Sequence, residues 1–431
     1  MTVTPPSPAP PTRHLRTARR AVSGYFFING IAFSSWVARI PDIKHKMALS
    51  DVQLSLALLV ASAGTVAGLT AIGPLVDRLG SDRVSRAASI AVALGLTATG
   101  TAPDLPLLMA ALLFFGLAGG AYNVSMNAQA VQVDREYGRP VIASIHAVFS
   151  AGALAGSGLG ILTVELGIPP HTGLTALGAL LVLAALACGH FTPPGPRPTR
   201  TPAPRQGKRA LANSRVLFLG ACCFACLLAE GAIADWSGVY LREHVLLTPA
   251  LAPAGYLLFS AAMATGRLLA DRAAVRLGPM KLVTLSALTS GTGLTLGLLT
   301  AHPLGALTGL TVFGLGLSCI MPQMFKAAGE QVPTDTGKAI ATVAAFGYIG
   351  LLAGPALIGL LSHTLGLPRA LGLLALLMLA MTLAAKTINT WQPPPPTPTP
   401  AQPVPHAQPV PHAQPAQPAS PVQPARSQPG R

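Results

Sequence analysis

Twelve apolar runs, each near the length that crosses a bilayer, occupy most of this 431-residue chain. They fall at about 21–38, 52–73, 84–102, 106–130, 140–163, 169–190, 216–240, 250–270, 281–300, 303–325, 339–361 and 367–387, and roughly 20 apolar residues make one helical span. Inside hydrocarbon every backbone N–H and C=O needs a partner within the chain, and for runs of this length that means helix. Only 10% of residues are charged, against about a quarter in an ordinary soluble domain. So few charges cannot cover a water-facing surface. The expectation is an all-α membrane protein with twelve transmembrane helices.

The net charge of +15 raises a nucleic-acid reading, but the basic residues lie in short segments between apolar runs and form no nucleic-acid module. Their distribution fits the positive-inside rule. With the N-terminus inside, all of the 29 Lys and Arg residues fall on the cytoplasmic side except Arg39, Lys44, Lys46, Arg242 and Arg369. Both termini are therefore expected in the cytoplasm.

Residues 1–20 are Pro-rich, end in "RTARR", and read as a disordered cytoplasmic tail before an uncleaved first helix. The segment 191–215 is basic and Pro-rich and reads as a cytoplasmic linker between a six-helix bundle at 21–190 and another at 216–390. The Pro/Gln/Ala-rich remainder, 391–431, has too few apolar residues to bury a core and reads as disordered. The five cysteines lie in or at the ends of apolar runs. They have no metal-ligand company and read as packing residues.

The two halves repeat at an offset near 200 residues. "FFGLAGGAYN" in the fourth run returns as "VFGLGLSCIM" in the tenth, aligning Phe115-Gly116-Leu117 with Phe313-Gly314-Leu315. "FSAGALAGSGLG" in the fifth returns as "FGYIGLLAGPALIG" in the eleventh, and Trp36 has a counterpart in Trp236. Parallel repeats of this kind place a substrate site between the halves, near the membrane midplane.

The sharpest local motif is "GPLVDRLGSDR" between runs two and three, with a looser copy, "GRLLADRAAVRLGPMK", between runs eight and nine. Gly73, Asp77, Arg78, Gly80 and Arg83, with Gly266, Asp271 and Arg272 in the copy, resemble the signature loop of the major facilitator superfamily. That resemblance implies two six-helix pseudo-repeat bundles rocking about a central site. Asp77 at a helix end is expected to act as a latch, joining a neighbouring helix terminus or an arginine in the outward-open state. "FFINGIAFSSWVARIPDIK", "SMNAQA", "SIHAVFSAGALAG" and "EGAIADWSGVYL" further resemble the bacterial fucose-permease-like and MosC-like group. This resemblance implies a multi-pass protein of the bacterial inner membrane. Where the sugar–proton symporters of the superfamily hold carboxylates in helices one and four, this chain has Asn29, Asn123 and Asn127.

Of the fourteen acidic residues, only Glu230 and Asp235 fall within an apolar run. They are five residues apart, about 140° around a helix, so they do not share a face. Glu230, near mid-membrane, is expected to titrate protons or bind substrate, and Asp235 to line the outer mouth. His146 is the one histidine well inside a run and is a candidate proton relay. Asn29, Asn123, Asn127 and Gln323 supply amides for a hydroxylated solute, and Trp36 and Trp236 supply aromatic faces.

No phosphate-binding GxxxxGK[ST] loop is present, and no convergent catalytic set can be built. The chain is expected to be a transporter and not an enzyme, with no cofactor or metal. Its partners would be a small-molecule substrate, protons and the lipid bilayer, and it would act as a monomer. The function that follows is proton-coupled secondary transport of a small sugar-like or other polar metabolite by alternating access. The alternatives are proton-coupled efflux of amphipathic compounds and a non-transporting membrane sensor.

Overall fold

The computed structural model describes residues 12–137, 141–195, 214–300, 302–331 and 336–387. Most of the N-terminal tail, the centre of the linker and the C-terminal segment lie outside these residues. The described residues form helices and no strand. In chain order the helices are α1 (Arg13–Lys46), α2 (Asp51–Ala71), α3 (Gly73–Leu79), α4 (Ser81–Thr101), α5 (Leu105–Glu136), α6 (Ile142–Glu165) and α7 (Pro170–Phe191). The second half holds α8 (Ser214–Glu243), α9 (Ala254–Leu277), α10 (Pro279–Thr300), α11 (Pro303–Leu317), α12 (Ile320–Gln331), α13 (Thr336–Leu365) and α14 (Leu367–Thr387). Among the described residues, nine helical segments are long and apolar enough to cross a membrane, with shorter apolar stretches at Ala254–Ala270 and Leu367–Leu383.

Two boundaries differ from the sequence reading. The first helix begins at Arg13, not near residue 21, because the Thr12 hydroxyl accepts from the Leu15 N–H and caps it. At 34 residues it extends about 51 Å, well beyond a core about 30 Å thick. The tenth run is broken at Ser318–Cys319 into α11 and α12. The break lies against Gly266, where an added Cβ would collide with the Ser318 hydroxyl.

Positive φ marks the corners. Gly80 (φ 90°) separates α3 from α4, and Gly278 (φ 78°) separates α9 from α10 at the equivalent place. A side chain is strained in that region of backbone space, so glycine is required at both.

The repeat in the sequence is a repeat in packing. In the first half α1 packs on α6, α2 on α5, and α4 on α5 and α7. In the second, α8 packs on α13, α9 on α11, and α10 on α11 and α14. The repeated glycines form the seams. A Cβ at Gly116 would strike the Ala61 carbonyl of α2, and one at Gly314 the Phe259 carbonyl of α9. Gly152 and Gly350 stand under the Phe27 and Phe224 carbonyls in the same way. Close backbone approach gives the van der Waals contact that replaces the hydrophobic effect between helices in lipid. The halves meet through α2 with α13, α6 with α9, and α1 with α8.

Candidate functional site

Glu230 lies near the middle of α8, 13 residues before its end at Glu243. An ionised carboxylate at that depth costs at least about 2.5–3.5 kcal/mol on insertion scales, so it requires a partner. The partner is Arg267 of α9, whose Nη2 stands 3.7 Å from Glu230 Oε2. Both side chains are partly open, 30% for Glu230 and 42% for Arg267.

The direction they face follows from helix geometry. Tyr256, Ser260, Met263 and Arg267 recur at spacings of four, three and four on α9, which makes one stripe. At one end of the stripe the Tyr256 ring meets Phe33 of α1 edge-on, with centroids 6.5 Å apart. The stripe therefore faces the first half. Asn29 lies one turn from Phe33 on the same side of α1, half-buried. Glu230 and Arg267 thus meet along the same stripe of α9 that carries the Tyr256–Phe33 contact.

The sequence reading places Arg267 among the cytoplasmic cations, on the expectation that this helix leaves the membrane near residue 270. In the structure Arg267 lies within α9, ten residues before its end at Leu277, and stands beside Glu230. The sequence signal lies in the spacing of 11 residues from Tyr256, which returns to the same helical face.

Other candidates are placed as follows. Asn127 Nδ2 donates to the Asn123 carbonyl at 2.8 Å and to its side-chain oxygen at 3.3 Å, so the two amides form one polar group on α5. His146 on α6 is exposed and meets the Phe26 ring edge-on at 4.8 Å. Asp235 is half-buried and has no salt bridge among the described residues. Gln323 on α12 is buried, and its Oε1 has no hydrogen-bond partner among the described residues. Trp36 and Trp236 are both buried, and Trp236 Nε1 donates to the Pro355 carbonyl at 2.9 Å. In this conformation both indoles are packing elements.

The signature loop is built as α3, Gly80 and the start of α4. Asp77, Arg78 and Arg83 are exposed, and Asp77 has no salt bridge among the described residues. Gly73 has open space around it, so close approach is not its role in this conformation. In the copy, Gly266 packs on Ser318 and Arg272 is exposed. The side chain of Asp271 lies outside the described residues.

The two halves are tied at the opposite end. Lys44 Nζ lies 2.6 Å from both carboxylate oxygens of Glu243 and 2.8 Å from Asp51 Oδ1. Asp42 accepts from Arg39 within its half and from Arg242 across the interface. Ser362 donates to Asp51 at 2.8 Å. Among the described residues, these are the ion pairs and hydrogen bonds that join one half to the other. The bundle is thus fastened at the C-terminal end of α1, and the ties between the halves among the described residues all lie at that end.

With that geometry in place, the family model of the Major Facilitator Superfamily matches residues 22–333 and 238–429. The chain belongs to the major facilitator superfamily. It is 33% identical over 366 residues to an MFS-type transporter of Yersinia pestis, covering 84% of this chain and 94% of that one. It is 29% identical over 354 residues to the membrane protein MosC of Rhizobium meliloti, covering 81% of this chain and 85% of that one. Among solved structures, a point mutant of the nucleoside transporter NupG superposes with a TM-score of 0.72 at 13% identity, covering 87% of this chain and 100% of NupG. A bacterial homologue of the human lysosomal transporter Spinster, inward-facing and unoccupied, superposes with a TM-score of 0.71 at 13% identity over 89% of this chain and 99% of that one. The chain is a multi-pass membrane transporter of this superfamily, not an enzyme.

Proposed function

We propose that this transporter moves a small polar organic solute by alternating access, with Glu230 coupling the movement to protons. The observation that carries the reading is the Glu230–Arg267 pair, at mid-helix depth, partly open, on the stripe that faces the other half. An ion pair in that position is costly in lipid and is retained where a pathway needs it. Protonation of Glu230 removes its attraction for Arg267, which links proton binding to rearrangement of the site. Asn29, the Asn123–Asn127 pair and Gln323 supply further hydrogen-bonding groups for a polar solute.

The protein acts as a monomer in a bacterial inner membrane, with twelve transmembrane helices and both termini in the cytoplasm. In that orientation the fastened end is outside, and the site opens inward. The Asp77 latch is then disengaged, in keeping with its exposure here.

The test is solute accumulation in proteoliposomes under an imposed pH gradient. Wild type should accumulate the polar solute when the gradient is applied. Glu230→Gln should lose gradient-driven accumulation and retain exchange. Gradient-driven uptake by Glu230→Gln at the wild-type rate would remove Glu230 from coupling. Movement of amphipathic cations alone would replace the polar-solute reading with efflux.

A further inference from the structure

We propose that the solute carries an oxyanion, a carboxylate or phosphate, and that Arg267 is its receptor, with Glu230 occupying Arg267 while the site is empty. The inference rests on the transport reading above and narrows its substrate class.

Three observations lead to it. First, the contact is a weak use of a guanidinium. A guanidinium offers five N–H donors in a planar fork that matches two oxygens of a carboxylate or phosphate. Glu230 approaches through one oxygen at 3.7 Å, beyond hydrogen-bond distance. Arg267 donates no hydrogen bond among the described residues, so its fork is open to a second ligand.

Second, the exposure is in the right place. Arg267 is 42% exposed on the stripe that ends at the Tyr256–Phe33 contact between the halves. About 16 Å of helix rise separates Tyr256 from Arg267. A solute held between them would have its anionic end at the guanidinium and its body against ring edges and the Ser260 side.

Third, charge compensation of Glu230 by itself does not call for so loose a contact. A purely structural tie between α8 and α9 is better made by a close, bidentate pair, such as the 2.6 Å contacts that Lys44 makes with Glu243. The looseness of the Glu230–Arg267 pair is what an exchangeable partner needs.

For a monoanionic solute the exchange conserves charge. The solute oxyanion takes the place of the Glu230 carboxylate on Arg267, and Glu230 is then free to take a proton from the open side. Solute and proton would thus occupy the site together.

The test is the melting temperature of the purified full chain against matched pairs of probes: gluconate with sorbitol, glucuronate with glucose, and glucose 6-phosphate with glucose. A ligand that binds only the folded state raises the melting temperature. An anionic member should stabilise the wild type and its neutral partner should not. Glu230→Gln should lower the midpoint concentration of that anion by about tenfold, the effect of removing a competitor worth one decade. Arg267→Gln should lose the response, and Arg267→Lys should keep part of it. If Arg267→Gln does not fold, Glu230→Gln still decides: an unchanged or weakened anion midpoint overturns the proposal. Equal stabilisation by a neutral member and its anion, retained in Arg267→Gln, also overturns it and leaves the polar-solute reading intact. No anion-dependent shift across the panel counts against it too.

Discussion

Lys44 of α1 and Glu243 of α8 meet across the two halves, with Nζ 2.6 Å from both carboxylate oxygens. One step away, Asp42 meets Arg242, and these two residues are 200 positions apart, close to the offset of the internal repeat. The C-terminal ends of α1 and α8 occupy equivalent places in their halves, and they clasp each other. Lys44 is 7% exposed and is held by these partners, while Glu243 at 40% keeps contact with solvent.

Removing the clasp should release that end. Lys44→Met leaves Asp51 and Glu243 without their shared cation and should destabilise the observed conformer by about 1–2 kcal/mol, less than the loss of a fully buried pair. Glu243→Gln should cost less, because Lys44 retains Asp51 at 2.8 Å. The readout is thiol-reagent access to a cysteine placed at Phe33 from the α1 C-terminal side. Access should rise in both variants and more in Lys44→Met. Unchanged access would mean the ion pairs are not what closes this end.

The signature loop should act in the opposite sense. Asp77 is exposed and makes no salt bridge among the described residues, so Asp77→Asn takes nothing from this conformer. If the carboxylate latches the other conformer, the substitution shifts the population toward the one described here. Access to the Phe33 cysteine from the α1 C-terminal side should fall, and Asp77→Asn combined with Glu243→Gln should return it toward wild type. The same access in Asp77→Asn as in wild type would end the latch account.

The glycine seams give a sharper contrast. A Cβ at Gly350 would collide with the Phe224 backbone carbonyl, which cannot swing aside, whereas a Cβ at Gly158 meets nothing within 4 Å. Gly350→Ala should cost about 1–3 kcal/mol through overpacking. Gly158→Ala should be neutral or stabilising by about 0.5–1 kcal/mol, because alanine favours helix. Melting curves of the two purified variants separate the outcomes, and equal curves would mean the seam is free to open.

The two tryptophans should differ in cost despite similar burial. Trp236 donates to the Pro355 carbonyl, and Trp236→Phe removes that buried bond, a loss of about 0.5–1.5 kcal/mol. Trp36 makes no side-chain hydrogen bond among the described residues, so Trp36→Phe should cost less. A larger drop in melting temperature for Trp36→Phe would contradict this placement.

The amino-acid sequence by itself determined the class of fold, the duplication and the place of Glu230 inside an apolar run. Each is a one-dimensional property. Bilayer thickness sets run length, the repeat is visible as aligned glycines, and a lone carboxylate in an apolar run is costly wherever the helix turns. Tertiary structure decided the partnerships. Arg267 became the partner of Glu230 because α9 packs beside α8 and brings the two side chains together. Trp236 became a packing residue because α13 brings the Pro355 carbonyl to its indole. Asp42 found Arg242, and Lys44 found Glu243, because two equivalent helix ends cross. Periodicity says which residues share a face, but the neighbour that face meets depends on the rotation and adjacency of every helix in the bundle. Close packing of the whole chain fixes those together.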